Sequence, residues 1–214
     1  MSKISLEGNA SGSGTLTIAA PNTNSNYTLT LPSETGTIVT TGTTTGISAS
    51  AISTGTLAAA RLPAGSVLQV VQTVKTDTFS TTSTSLVDIT GMSVSITPIS
   101  ASNKILVSYF LGHVDASDAA LIPVALLRGA TKIGAGATAG NRTTVSTAQI
   151  SAQNRGVTQS FMFLDSPATT SSTTYKLQLM TTSGTAYVNR SSADTDVAGY
   201  FRTASTITVM EIAA

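Results

Sequence analysis

A chain of 214 residues holds one ordinary domain plus an extended arm and is short for two well-cored domains. Only 10% of residues are charged and the formal net charge is +1, which removes the clustered Lys and Arg of a nucleic-acid or anionic-membrane binder. The absence of Cys removes disulfides and thiolate–metal sites, while 41% apolar content recurring with period two argues against disorder.

The first third has isolated bulky residues among Gly, Ser, Thr, Asn and Ala and cannot build its own core. Residues 15–21 and 28–32 read as two short strands, each ended by a proline and separated by an Asn-rich turn, with a third strand at 36–40. Next, Ile47, Ile52, Leu57, Leu62 and Val67 place a large aliphatic residue at every fifth position, a spacing that fits neither helix nor strand. One apolar side chain per unit finds burial only where copies meet on a common axis, so this stretch is expected to form a homotrimeric shaft. The alternative is a flexible Ala/Ser/Gly linker with coincidental spacing. An arm over residues 1–66 and a head domain over 67–214 follow.

From Val67 the pattern changes to frequent strands. Expected strands cover residues 67–74, 85–97, 104–114, 124–128, 157–165, 174–180 and 205–212. The stretch 104–114 is apolar on both faces and should be central. Seven or more short strands punctuated by Gly, Ser, Asn and Pro predict an all-β fold, an antiparallel β-sandwich with the jelly roll as preferred form. The longest apolar run, 119–127, is short and broken by Pro123, and residues 1–20 lack a cationic start followed by an apolar stretch, so neither membrane span nor signal peptide is expected. The sequons at Asn9, Asn26, Asn141 and Asn189 are then chance products of an Asn/Ser/Thr-rich chain.

Catalytic chemistry is sparse. There is no Gly-x-Ser-x-Gly elbow, and the single histidine, His113, lies in an alternating strand where a packed or rim-exposed imidazole is expected. Asp115, Asp118, Asp165, Asp194 and Asp196 are available for a glycosidase pair, but no motif frames them. His113, Asp115 and Asp118, or Asp194 and Asp196, lack the ligand run of a calcium loop, and the glycines at 134, 136 and 140 have the wrong spacing for a phosphate loop. No enzyme activity, metal or cofactor is expected. Polar and aromatic residues collect instead between strands: Asn141, Arg142, Asn154, Arg155, Tyr187, Arg190, Asp194, Asp196, Tyr200 and Arg202. Tyr and Arg beside Asn and Asp stack on sugars and proteins and hydrogen-bond their edges, so these are the binding candidates, with ordinary solvated loops as the alternative.

Residues 16–40, an apolar strand, a Pro-Asn turn, Thr-Leu-Thr-Leu-Pro and a Gly-Thr turn, resemble the short repeat near the start of tailed-bacteriophage tail-fibre and virion-fibre proteins. Residues 52–63 resemble linker repeats in the same proteins, and the strand layout of the head is similar to the jelly-roll heads of trimeric fibres, including the tumour-necrosis-factor-like and C1q-like kind. The resemblance implies a homotrimer, made in the host cytoplasm and carried on the particle surface. Its N-terminal arm would hold other virion proteins of tail or capsid, and its head would meet a host-surface glycan or outer-membrane protein. The chain is shorter than a typical tail fibre, so a head-fibre or capsid-decoration role stands as an alternative, and a glycan-degrading spike as a second.

Overall fold

The computed structural model describes residues 59–214, together with Ser11, Gly12 and Asn26. The short strands expected at 15–40, and Ile47, Ile52 and Leu57 of the five-residue repeat, lie outside the described residues.

After a 3-10 turn, Ala59–Arg61, the chain forms β1 (Val67–Lys75), β2 (Phe79–Thr81), β3 (Val87–Ile96), β4 (Lys104–Ala116), β5 (Ala120–Arg128) and β6 (Thr131–Ile133). It continues through β7 (Thr147–Ser151), β8 (Val157–Asp165), β9 (Thr173–Leu179), β10 (Ala186–Val188) and β11 (Ser205–Ile212). All pairings are antiparallel. The longer strands run β1-β11-β4-β8 in one sheet and β3-β9-β5-β7 in the other, with β2 and β10 extending the first sheet and β6 the second.

Numbered one to eight along the chain, these longer strands pair first with last, second with seventh, third with sixth and fourth with fifth. This nesting is a long antiparallel hairpin wrapped on itself, which is the jelly roll. The β-sandwich expected from strand spacing is therefore the observed fold.

Period-two alternation supplies the core. Ile105, Val107, Tyr109 and Leu111 of β4, with Ile207 and Val209 of β11, point between the sheets toward Val94 and Ile96 of β3, Ile122, Val124 and Leu126 of β5, and Tyr175, Leu177 and Leu179 of β9. Each fully buried aliphatic side chain contributes about 1.5–3 kcal/mol against the entropy of ordering the chain.

Two details differ from expectation. Strand β5 runs through Pro123 instead of starting after it. Pro123 accepts from the Met180 nitrogen at 3.2 Å, so its own nitrogen faces the same edge, just beyond the end of β9 where ladder donors are no longer required. Strand β4 is central, but its second apolar face is not covered: Phe110 is 45% exposed.

The thirteen residues of β4 make the sandwich roughly 40 Å long at about 3.3 Å per residue. Its ends are distinct. At the basal end the incoming chain is clamped to the C-terminus, with Gly65 N donating to Ala213 O and Ala213 N to Ser66 O, both at 2.9 Å. At the distal end, where β4 finishes and β5 begins, the β7–β8 and β10–β11 connections meet.

Candidate distal loop site

The β10–β11 connection is tied down at its base by Asn189, which is fully buried with φ of 63°. Its amide donates to the carbonyls of Lys75 (2.9 Å) and Asp77 (3.0 Å), and its Oδ1 accepts from Ser205 Oγ at 2.6 Å. A second tie is Asp115, 0% exposed at the end of β4, which accepts from the backbone nitrogens of Ser192 (2.7 Å) and Ala116 (2.8 Å) and from Ser151 Oγ (3.2 Å). Every oxygen of this buried carboxylate is therefore used, as burial without a cation requires.

The third tie crosses from the β7–β8 turn. Asn154, at φ 57°, donates its backbone N–H to Ser192 Oγ at 2.9 Å, and its Oδ1 accepts from Ser192 Oγ and Ala193 N, both at 3.1 Å. Asn tolerates the left-handed region better than other non-glycine residues, which explains its use here.

On this base sits a cluster of charges and rings. Asp194 receives Arg202 at 2.7 Å and Arg190 at 3.4 Å, while Arg190 also lies 4.6 Å from the centroid of the Tyr187 ring. A depression of about 220 Å³ opens beside it, lined by Asp194, Thr195, Asp196, Val197, Tyr200, Phe201 and Arg202. Phe201 is 63% exposed, and Val197 is also open to solvent.

The structure thus gathers Asn154, Tyr187, Arg190, Asp194, Asp196, Tyr200 and Arg202 at one end. Tyr187 is not in a connection, as expected, but in β10, opposite Asp115 in register; its neighbours Ala186 and Val188 face the core, so its ring is directed outward. Arg155 shares the β7–β8 turn, where its carbonyl accepts from Ser151 Oγ at 3.2 Å. Asn141 and Arg142 lie apart in the exposed β6–β7 connection, with Arg142 donating to Ala139 O at 3.2 Å. Leu62 lines a separate basal depression of about 370 Å³ with Leu68 and Ile99, and Val67 opens β1.

Sequence reasoning missed Phe201 and Val197 as members of the site. The available signal was an aromatic pair, Tyr200 and Phe201, following Gly199 in a loop otherwise built of small and polar residues and Val197. It also assigned Asp115 and Asp165 to a catalytic or metal short-list. Asp165 is instead held by Arg128 Nη1 at 2.8 and 2.9 Å and by the Tyr175 hydroxyl at 2.7 Å. His113 packs its Nε2 against Gly156, where the nitrogen is buried without a hydrogen-bond partner. Among the described residues no group of three or more His, Asp or Glu side chains is arranged to hold a metal.

These features define a jelly-roll domain with a braced loop cluster at one end. No protein-family model matches the chain, and no curated protein matches it. A solved structure of infectious bursal disease virus, Gx strain, is similar over 67% of this chain at 16% identity and a TM-score of 0.35; this chain spans 40% of the length of that one.

Proposed function

We propose that this chain is a non-enzymatic structural protein of a tailed-phage particle: a homotrimeric fibre or appendage, anchored by its arm and presenting its head to the host surface. The observation that carries this reading is the contrast between the two outer faces of the head.

The outer face of the β1-β11-β4-β8 sheet mixes apolar and uncharged polar side chains, with Gln72 donating to Thr208 at 2.8 Å, and its middle carries no charge. Register places Val70, Met210, Leu106 and Leu164 in one row across four strands, then Gln72, Thr208, Ser108 and Met162, then Val74, Thr206, Phe110 and Ser160. Charge on this side is confined to the two ends, with Lys104 at the basal rim and, at the distal end, Asp115, whose oxygens are bonded to Ser192, Ala116 and Ser151. Met162 is 64% and Val70 55% exposed. The other outer face is charged and hydrogen-bonded over β3 and β9, where Lys176 pairs with Asp88 at 2.8 Å, Gln178 donates to Asp88 at 2.7 Å and Ser95 bonds Thr174 at 2.7 Å, while Leu121 and Ile150 are exposed on its β5–β7 part.

A flat uncharged surface of this width excludes water favourably only against another such surface, and a second copy of the chain supplies one. The face extends along the strands, so copies packed side by side around an axis parallel to them bring residues 59–66, which precede β1, together at the basal end. Their loop clusters then share the distal end. A fibre head has this polarity, and weak distal sites gain strength by avidity when presented in threes. The non-catalytic part of the reading is supported by Asp115 and Asp165, whose oxygens are committed to structural bonds.

Labelling purified particles with an antibody to this chain tests the assignment. Signal on an appendage, together with adsorption of the full-length protein to host cells, is the expected result. Signal spread over the capsid with no adsorption transfers the chain to a capsid-decoration role, and release of reducing sugar from host polysaccharide would establish the degrading spike.

A further inference from the structure

The depression beside Asp194 combines features that together select a ligand chemistry. At about 220 Å³ it falls below the roughly 300–1,000 Å³ typical of sites for drug-sized molecules and suits a single ring. Its wall includes Phe201 and Tyr200, of which the first is largely exposed, and an exposed aromatic face is a platform for the apolar side of a ring.

The rim carries both unused donors and unused acceptors. Arg202 spends one guanidinium nitrogen on Asp194, leaving the others free, whereas the Asp196 carboxylate has no partner among the described residues. An anionic ligand needs donors only and would be repelled by Asp196; a cationic ligand needs acceptors only and would be repelled by Arg202. A hydroxyl both donates and accepts, so vicinal hydroxyls satisfy both sides at once. The charges of Arg190, Arg202, Asp194 and Asp196 also sum to zero, leaving no net field to favour a charged ligand. The loop is ordered in advance by Asn154, Asp115 and Asn189, which lowers the entropy cost of binding.

The geometry points to this depression as a subsite for one neutral, polyhydroxylated sugar ring, and this inference rests on the attachment role proposed above. The test is saturation-transfer NMR and titration of the full-length protein with methyl β-D-galactopyranoside and methyl α-D-glucopyranoside. Galacturonate serves as the anionic probe and Nα-acetyl-lysine methylamide as the cationic one. At least one neutral glycoside is expected to bind, with affinity reduced about tenfold or more in both Phe201→Ala and Asp196→Ala. Galacturonate is expected to bind about tenfold more weakly than the neutral sugar.

Absence of binding by either glycoside, or binding unchanged in both variants, overturns the assignment. Stronger binding of the lysine derivative also overturns it and points to a basic side chain of a protein receptor. Host-cell adsorption of the same variants separates this inference from the reading beneath it. Loss of adsorption in Phe201→Ala without any sugar binding removes the sugar and leaves attachment standing, while sugar binding by a protein that does not adsorb removes attachment and leaves the subsite.

Discussion

The Asp115 carboxylate accepts a hydrogen bond from the Ser192 backbone nitrogen at 2.7 Å, joining the end of β4 to a loop that follows it by 77 residues. A buried acid thereby helps to set the position of the distal cluster.

Replacing Asp115 by Ala leaves the backbone donors of Ser192 and Ala116 without their acceptor, while the Ser151 hydroxyl keeps the Arg155 carbonyl. The expected cost is about 2–4 kcal/mol of unfolding free energy, measured by denaturant titration, with faster amide exchange at Ser192 and Ala193 than at core amides of β9. Unchanged exchange at Ser192 would show that the loop is held by something else.

Acid sensitivity has a named source in Glu211, which is 0% exposed. Burial pushes its pKa up, but hydrogen bonds from Asn103 Nδ2 at 2.6 Å, from Gln69 Nε2 and from Ile99 N at 2.7 Å outweigh it, and the net direction is down from the ordinary value of 4.5. The unfolded chain therefore takes up this proton first as pH falls. The contribution is complete above 4.5 and is lost as pH drops through the lower folded value. Denaturation midpoints of the native protein should decline over this window, and Glu211→Gln should show a flatter profile. Asp88, lowered by its bonds from Lys176 and Gln178, adds a small term of the same sign that the variant retains.

Two glycines give opposite expectations. A Cβ on Gly112 would overlap the Ala204 carbonyl oxygen and press on Thr203, so Gly112→Ala forces backbone movement between β4 and the start of β11. A loss of about 2–3 kcal/mol is expected in thermal or denaturant unfolding. Gly136 has open space around it and needs no left-handed backbone, so Gly136→Ala should stay within about 0.5 kcal/mol of the native protein.

Strands β1, β3, β4, β8, β9 and β11 were legible because each alternates over seven or more residues against one core face. Strands β2, β6 and β10 have three residues each, too few to display a period, and β7 shows exposed residues between its ends. Pro123 hid the first half of β5 because its meaning depends on which edge the nitrogen faces, a property of pairing and not of local sequence. Double-sided apolar content in β4 signalled a central strand correctly, although its second face is open on the single subunit and not packed within it. At the loop cluster, Tyr and Arg identities were visible in advance. The bond from Asp115 to Ser192 and the convergence of Asn154 on Ala193 join residues 77 and 39 positions apart, and no local pattern encodes them.

The proposed packing of three copies on the outer face of the β1-β11-β4-β8 sheet is most directly tested by sedimentation equilibrium of the full-length protein at micromolar concentration, beside the variant Met162→Lys, Leu164→Lys. Both positions are more than half exposed on the single subunit, so the substitutions leave the core intact. The account predicts a native mass three times 21.6 kDa and a folded variant shifted to lower mass. A native protein that sediments as one subunit, or a variant that stays trimeric, would contradict it.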